Sequence, residues 1–297
     1  MNPFIEDIKN QYKNGSALIK LVFVNVGVFV VLHIIGITLL LFNFKNGAEY
    51  ISYWFSLPAS VGQIITQPWS IASYMFLHTS FWHLFTNMLW LYFGGRIFSQ
   101  FLNDKKLVSV YILGGLAGGL LYVLSFNLFP LFKGVVNNSI AFGASASVMA
   151  VLIAAVTYVP NYIVQLPFIG SVKLKYIGIF SLVIFILSGF QSNSGGHIAH
   201  LGGAIFGFLY IQQLKKGKDF TLGFGRFLDY LKAMFQTRNK MKVVYKKQGK
   251  TKTNQAYNSQ KVDNQKKVDT ILDKISKSGY DSLSADEKAI LFDASKK

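Results

Sequence analysis

Long apolar runs make up most of the first 214 residues of this 297-residue chain. The first, Leu21–Phe42, is long enough to cross about 30 Å of hydrocarbon as a helix. It exceeds the roughly 7–15 apolar residues of a signal-peptide core and lacks a cleavage pattern after it, so we interpret it as a retained transmembrane helix. The further runs are Ile71–Phe93, Leu107–Phe126, Ala144–Val159, Tyr176–Phe190 and His197–Leu214. The sequence therefore predicts an all-α polytopic membrane protein, a bundle of six transmembrane helices.

Charge divides the chain into two parts. Residues 1–214 hold ten basic and four acidic residues, whereas the remaining 83 residues hold twenty basic and nine acidic ones. In the predicted loops, eleven basic residues lie on the side of both termini and only Lys45 and Lys133 on the other. By the positive-inside rule, both termini are then cytoplasmic. We therefore expect a multi-pass protein of the cell membrane, in particular a bacterial plasma membrane.

These patterns predict four regions along the chain. They are a cytoplasmic N-terminus (1–17), a six-helix domain (18–214), a basic amphipathic juxtamembrane segment (215–252), and a flexible linker with a short helical hairpin (253–297). In the last region, Val268–Ser276 is predicted to be one short helix. Ser284-Ala-Asp-Glu287 is a capping-box pattern that predicts the start of another.

The cytoplasmic tail that follows the six runs mixes aromatic and basic residues. In Asp219–Lys252, apolar residues recur at three- and four-residue steps. This pattern predicts an amphipathic helix on the cytoplasmic face of the lipid bilayer, attracted by anionic lipid. Gln248–Gln265 is polar and is expected to be disordered. No aromatic–basic recognition pattern occurs, so we expect no nucleic-acid partner.

Three polar side chains, Ser145, His200 and His83, are predicted to lie at one depth in the membrane. Each is 13 to 15 residues from the cytoplasmic end of its span, or about 20–22 Å of helix. The fourth helix therefore begins at that depth, and the loop before it, 135–144, must dip into the membrane. Irregular backbone survives there only beside protein or a water-filled cavity. A water-accessible pocket open to the outside is predicted.

Small residues on three of the predicted helices predict close contacts between them, because small side chains let transmembrane backbones touch. They are Gly114, Gly115, Gly118 and Gly119 on the third helix, Ala146, Ala150 and Ala154 on the fourth, and Ala199, Gly203 and Gly207 on the sixth.

Ser145 and His200 have the chemistry of a nucleophile and its base. Ser145 follows Gly143-Ala144 at a helix start, where unpaired amides and the positive end of the helix dipole favour an anion. No Asp or Glu occurs in any predicted span after the first loop, so a Ser–His dyad can form but a Ser–His–Asp triad cannot. The alternatives are that Ser145 and Ser147 are small packing residues and that His200 is a structural histidine.

His83 and Asn87 lie four residues apart, on one face of the second predicted helix. Their N–H groups could donate to a developing oxyanion; the alternative is a hydrogen bond between helices. His78 and His197 each lie about one turn higher, where they could shape the cavity or share a hydrogen-bond network. His33 is interpreted as a packing residue.

The same histidines also fit a different class of protein. His78, His83, His197 and His200 stand on two helices and could bind haem or a metal ion. A metallohydrolase is disfavoured, because neither an HExxH pattern nor a nearby carboxylate is present. The absence of cysteine excludes thiol nucleophiles and Cys-ligated metals. The spacing leaves haem open, with His83 facing His200 and His78 facing His197.

Three motifs occur in order on the second, fourth and sixth predicted helices. They are His78-Thr-Ser-Phe-Trp-His83-Leu-Phe-Thr-Asn87 (H-x4-H-x3-N), Gly143-Ala-Ser145 (G-x-S) and Ala199-His200-Leu-Gly-Gly203-Ala-Ile-Phe-Gly207 (A-H-x2-G-x3-G). On these motifs the chain resembles the rhomboid family of intramembrane serine proteases, over about residues 18–214.

The resemblance implies an intramembrane serine endopeptidase that needs no cofactor. Ser145 would be the nucleophile and His200 its base. His83 and Asn87, with the Ser145 backbone N–H, would form the oxyanion hole, and His78 would support it. The substrates would be single-span membrane proteins, cut in the transmembrane helix near its outer end. A catalytically inactive, helix-binding relative is the third interpretation.

Three positions depart from the family pattern. Ser70 follows Trp69 where the family often has Arg, and Ala146 follows the serine where it often has Gly. Met149 stands where some members place a Tyr against the catalytic histidine. We expect these changes to affect the fine geometry and the rate, but not the reaction.

Overall fold

The computed structural model describes residues 11–167, 169–187, 194–235 and 254–295, which are mostly helical. They belong to two compact units, Met1–Thr237 and Arg238–Lys297. The helices of the first unit are α1 (Ala17–Leu41), α2 (Gly47–Phe55), α3 (Val61–Thr66), α4 (Ser70–Ser73), α5 (Phe81–Phe101), α6 (Asp104–Leu128), α7 (Ser145–Tyr158), α8 (Leu174–Leu187), α9 (Ser194–Lys215) and α10 (Thr221–Phe235). Its strands are β1 (Leu57–Pro58), β2 (Ile140–Ala141), β3 (Ile163–Leu166) and β4 (Gly170–Lys173), the last two forming an antiparallel hairpin.

Helices α1 and α5 to α9 correspond to the six apolar runs. In the described part of the chain, α1 and α6 are the two helices long and apolar enough, by length and composition, to cross a membrane. Helix α7 and the stretch Leu174–Ile184 are apolar but shorter. Helices α5 and α9 have 21 and 22 residues but carry several polar side chains. The helical class is confirmed, and the count of six transmembrane helices stays a prediction.

The second span begins later than the apolar run Ile71–Phe93 that predicted it. A 3-10 turn at Tyr74–Phe76 precedes it, and α5 starts only at Phe81. Ser80 caps α5 in extended conformation, and its hydroxyl accepts the N–H of His83 at 3.3 Å. Because an N-cap residue leaves helical geometry, the run divides into the short helix α4 with its 3-10 turn, a non-helical stretch at 77–80, and the first part of α5.

The region between α1 and α5 holds the backbone that leads into α7. Strand β1 pairs antiparallel with β2, Leu57 opposite Ala141. One residue further, the Ala59 N–H donates to the Ser139 carbonyl at 2.9 Å. At the depth predicted for this loop, irregular backbone needs such partners from protein.

Helix α7 packs closely against α6 and α9 at glycine and alanine residues. A Cβ on Gly203 of α9 would lie 2.1 Å from the carbonyl oxygen of Ala146, and one on Gly207 2.2 Å from that of Ala150. On α6, a Cβ on Gly114 would lie 2.2 Å from the Cβ of Ala150. The close contacts predicted from small residues are therefore confirmed, and we call this set of contacts the glycine seam.

The second unit is a helical hairpin of α11 (Asn254–Ser278) and α12 (Ala285–Ser295), joined through a 3-10 turn. The predicted capping box is confirmed: the Ser284 N–H donates to Glu287 Oε2 at 2.8 Å, and the Glu287 N–H donates to Ser284 Oγ at 3.3 Å. Lys274 pairs with the same carboxylate at 2.9 Å.

Helix α11 is longer than the predicted helix Val268–Ser276. The region expected to be a flexible linker is helical from Asn254 onward, so that expectation was wrong there. Polar side chains four residues apart support a helix by hydrogen bonding, as Gln265 does to Asp269 at 3.1 Å. Residues 1–10 and 236–253, for which a cytoplasmic N-terminus and the rest of the juxtamembrane segment were predicted, lie outside the described residues.

The Gly203→Ala variant should lower the apparent melting temperature of the detergent-solubilised protein. Its methyl group would overlap Ala146 and force α7 and α9 apart, at an overpacking cost of about 1–3 kcal/mol. Gly27→Ala in α1 is the control, because a Cβ there has nothing within 4 Å. Thermal unfolding followed by circular dichroism measures both variants. Equal melting temperatures would contradict the glycine seam.

Candidate active site

The glycine seam sets the relative height of Ser145 and His200. Helices α7 and α9 run parallel, because the contact between Gly203 and Ala146 repeats four residues further along both. His200 lies three residues before Gly203, and Ser145 one residue before Ala146. At 1.5 Å per residue, the two differ by about 3 Å along the helix axes. Ser145 and His200 therefore lie at the same height, as predicted, to within two residues of helix.

Gly143 brings His83 and Ser145 together. Its φ is +118°, a conformation that favours glycine. A Cβ there would lie 2.7 and 2.8 Å from Cε1 and Nε2 of His83, and 3.8 Å from Oγ of Ser145. The imidazole and the hydroxyl therefore border the same point of the backbone, where only glycine fits.

His78 contacts the backbone just ahead of Ser145. The His78 side chain is buried, and its Nε2 accepts the Ala144 N–H at 3.5 Å. Its Nδ1 lies 3.3 Å from the carbonyl oxygen of Phe76. The ring also makes an edge contact with His83, with 5.1 Å between centroids. Both ring nitrogens face backbone groups, which fits a supporting residue better than a metal ligand.

Asn87 lies one turn along α5 from His83 and is largely buried. Its amide nitrogen donates to the His83 carbonyl at 2.8 Å. A side-chain amide has two N–H groups, so this bond leaves a second donor. Asn87 therefore lies next to His83 on α5, one turn further along that helix.

His200 belongs to the same group of histidines. Its ring centroid lies 5.9 Å from that of His197 on the same helix. The contact between Gly203 and Ala146 places His200 of α9 near the start of α7, and His83 of α5 reaches the same start at Gly143. Among the residues described, no three His, Asp or Glu side chains converge as a metal ligand set.

The two serines of α7 have different surroundings. Ser145 is the first helical residue, in the turn whose N–H groups lack partners within the helix. Ser147 is fully buried against α6, where a Cβ on Gly115 would lie 2.4 Å from its Oγ. Ser147 is thus a packing residue, whereas Ser145 borders the histidine group.

Two tyrosines that the sequence did not single out hold this region together. The Tyr74 carbonyl accepts the Gly143 N–H at 2.9 Å, and its buried hydroxyl donates to the Gly115 carbonyl. Tyr122 packs at the start of α9, where a Cβ on Gly195 would lie 2.7 Å from its ring. For Tyr74, the signal in the sequence was a tyrosine inside an apolar run, because a buried Tyr usually finds a partner for its hydroxyl.

The departures from the family pattern fall at packing positions. Met149 is buried and clusters with Ala204, one turn beyond His200 on α9. Ser70 is fully buried. Met149 has no hydroxyl and Ser70 has no charge, so neither side chain supplies the group that Tyr or Arg would.

A cavity of about 400 Å³ lies between α1 and α2 and reaches His78. Its polar lining includes His33, Lys45 and Glu49. Ser145 and His200 do not line it. The outward pocket expected at Ser145 therefore stays a prediction, and of the candidate site residues this cavity borders His78.

The described residues thus form a mostly helical protein in which a serine at a helix start lies near histidines of two neighbouring helices, α5 and α9. A family model described as the Rhomboid domain matches residues 66–216, just over half of the chain. The chain therefore belongs to the rhomboid family, which is membrane-embedded and generally consists of intramembrane serine proteases. A second model, described as a family of unknown function (DUF6576), matches residues 252–297.

Two curated relatives support the assignment. RHOMBOID-like protein 12, mitochondrial, of Arabidopsis thaliana is 24% identical over 214 residues, 68% of this chain and 60% of that protein. Presenilin-associated rhomboid-like protein A, mitochondrial, of Danio rerio is 31% identical over 167 residues, 54% of this chain and 40% of that protein. The chain thus spans less than two thirds of each relative. Both relatives are named as mitochondrial, and the cytoplasmic placement of this chain's termini stays a prediction.

The Gly143→Ala variant should lose activity by roughly 10²-fold, because a displacement of about 1 Å in a catalytic site costs that much. The methyl group would push the His83 ring away and strain the backbone before Ser145. Gly134→Ala, in the same loop, is the control, since a Cβ there has nothing within 4 Å. Cleavage rates measure the effect. Full activity of Gly143→Ala would show that the contact between Gly143 and His83 is unimportant.

Proposed function

We propose that this chain is an intramembrane serine endopeptidase that uses Ser145 and His200 as a catalytic dyad. The observation that carries the proposal is the meeting of Ser145 and His83 at Gly143. The glycine seam supports it, because it brings His200 to nearly the same level. Family membership supports the reaction class.

In the proposed reaction, Ser145 Oγ bonds to the scissile carbonyl carbon while His200 accepts the hydroxyl proton. The carbonyl oxygen becomes an oxyanion, which accepts hydrogen bonds from the Ser145 N–H, His83 and Asn87. His200 then gives the proton to the leaving amine as the C–N bond breaks. Water enters, and the same steps release the acyl group from Ser145.

The dyad operates without a carboxylate behind the base. In a triad, an acidic residue orients the histidine, but no Asp or Glu lies in the predicted spans after the first loop. The orientation of His200 must therefore come from packing. The nearby His197 ring and the Gly203 contact one turn along α9 provide it.

The proposed substrates are single-span membrane proteins, cut near the outer end of their transmembrane helix. The depth of Ser145 carries this proposal, because a site within the bilayer meets helices rather than soluble chains. Backbone carbonyls in a helix are hydrogen-bonded, so a cleavable segment must unwind, and small residues that weaken the helix favour this. The proposed location is the cell membrane, with both termini cytoplasmic.

The haem or metal alternative has less support from the geometry. It requires histidine nitrogens free for ligation, and both nitrogens of His78 face backbone groups. An absorption spectrum of the purified protein tests it, because a bound haem gives a strong Soret band. Such a band, lost in a His200→Ala variant, would favour the alternative.

Ser145→Ala should abolish both cleavage and labelling by a fluorophosphonate, while the protein still folds, because alanine fits the same helix start. Ser147→Ala should keep both activities, since Ser147 packs against Gly115 of α6. Cleavage of a panel of single-span proteins in detergent and in-gel fluorescence measure the two activities. An inactive Ser147→Ala together with an active Ser145→Ala would overturn the assignment. No labelling of the folded wild-type protein would support an inactive, helix-binding relative.

His200→Ala should be as inactive as Ser145→Ala, and the double variant no worse, because the two residues act as a unit. His197→Ala should keep measurable activity, since it lies about one turn from the dyad. Single-turnover cleavage rates of the four variants give the comparison. Partial losses that add up in the double variant would argue against a dyad.

A further inference from the structure

Helix α10 is tied to α6 just before its first residue. Asp219 accepts the Thr221 N–H and hydroxyl through Oδ1, at 3.0 and 2.6 Å, and pairs through Oδ2 with Lys106 Nζ at 3.1 Å. Burial alone would raise the pKa of Asp219, but hydrogen bonds from Thr221 and Lys106 outweigh it and hold the pKa below its usual value. The carboxylate is therefore ionised at neutral pH. The Lys106–Asp219 pair is mostly buried, so salt screens it less than an exposed pair.

Phe220 shows which way the apolar face of α10 points. Its ring packs against Phe206 and Tyr210 of α9, with 5.9 and 5.3 Å between centroids. Phe227 and Met234 follow Phe220 by seven and fourteen residues, about two and four helical turns, and so share its side. Phe227 is 51% and Met234 64% exposed. The side of α10 that contacts α9 through Phe220 thus continues, at Phe227 and Met234, as an exposed apolar face.

The opposite side of α10 forms an ion pair with α6. Asp229 lies two residues after Phe227, about 200° around the helix, and pairs with Lys105 of α6 at 2.8 Å. An exposed pair of this kind adds little stability, but it marks the side that faces away from Phe227. The two contacts with α6 and the Phe220 contact with α9 together set the rotation of α10 about its own axis.

The segment 219–252 has many more basic than acidic residues, and both acidic residues are already paired. Between residues 219 and 252 the sequence has nine basic residues and two acidic ones, Asp219 and Asp229. Both carboxylates are paired with lysines of α6. The segment therefore has no further carboxylate of its own to neutralise its basic residues, which makes it complementary to an anionic surface.

We propose that α10 is an interfacial helix whose Phe227–Met234 face inserts into the leaflet beside the ends of α6 and α9, with anionic lipid as its partner. The apolar side chains enter the boundary between headgroups and acyl chains, and the basic residues bind lipid phosphates. The pairs with Lys105 and Lys106 orient the helix for insertion. This role is independent of whether Ser145 is a nucleophile.

The absence of cysteine in the chain makes a direct test possible. Met234→Cys and its neighbour Ala233→Cys, about 100° apart around the helix, are each labelled with an environment-sensitive fluorophore in the full-length protein. The labelled proteins are placed in nanodiscs of phosphatidylcholine with phosphatidylglycerol. The Met234 label should be quenched by brominated lipid and protected from aqueous iodide, and the Ala233 label should show the reverse.

Two outcomes would overturn the insertion. Equal access of iodide to both labels would place the helix in water, and protection of the Met234 label without lipid quenching would mean that protein covers the face.

In nanodiscs of phosphatidylcholine alone, lipid quenching of the Met234 label should fall by about half or more, because the attraction to headgroup charge is removed. Unchanged quenching there would show that anionic lipid is not the partner. Asp219→Asn should reduce the difference in quenching between the Met234 and Ala233 labels. An unchanged difference would show that Asp219 does not orient α10.

Discussion

The rest of the structure depends on the backbone contact of α7 with α6 and α9. The hydrophobic effect does not drive helices together inside a bilayer, because lipid tails are as apolar as the side chains. Association must come from close packing, and the glycine seam provides it, because glycine and alanine leave little or no side chain between the helices. The same contact fixes the register of α9 against α7. Through that register, packing that holds the bundle together also sets where His200 lies relative to Ser145.

The sequence allowed the seam to be predicted, but not its exact register. The four-residue spacing of small residues predicted which helices contact each other. Helix lengths predicted a common depth for Ser145 and His200. The predicted depth requires the fourth and sixth helices to end at one level, near Pro160 and Lys215. The contact between Gly203 and Ala146 instead shifts the two helices by two residues from that alignment. Helix ends depend on local capping, so they locate residues along the helix axis less accurately than a contact in the middle of the bundle does.

The break before α5 could not be read from apolarity. A continuous apolar run looks like one helix, yet the chain is non-helical at 77–80 and Ser80 then caps α5. The capping serine was the available signal, but serine is also common inside membrane helices. The break has a consequence for the site. It releases His78 from the helix, so that its ring can turn toward the Ala144 N–H.

The irregular backbone before α7 shows why distant loop residues belong to the site. At depth, each of its polar groups needs a partner from protein. The Gly143 N–H finds the Tyr74 carbonyl and the Ala144 N–H finds His78, while β1 binds the strand just upstream. All three partners come from the stretch between α1 and α5. That stretch therefore holds Ser145 at the start of α7, and the geometry of the proposed nucleophile depends on residues far from it in the sequence.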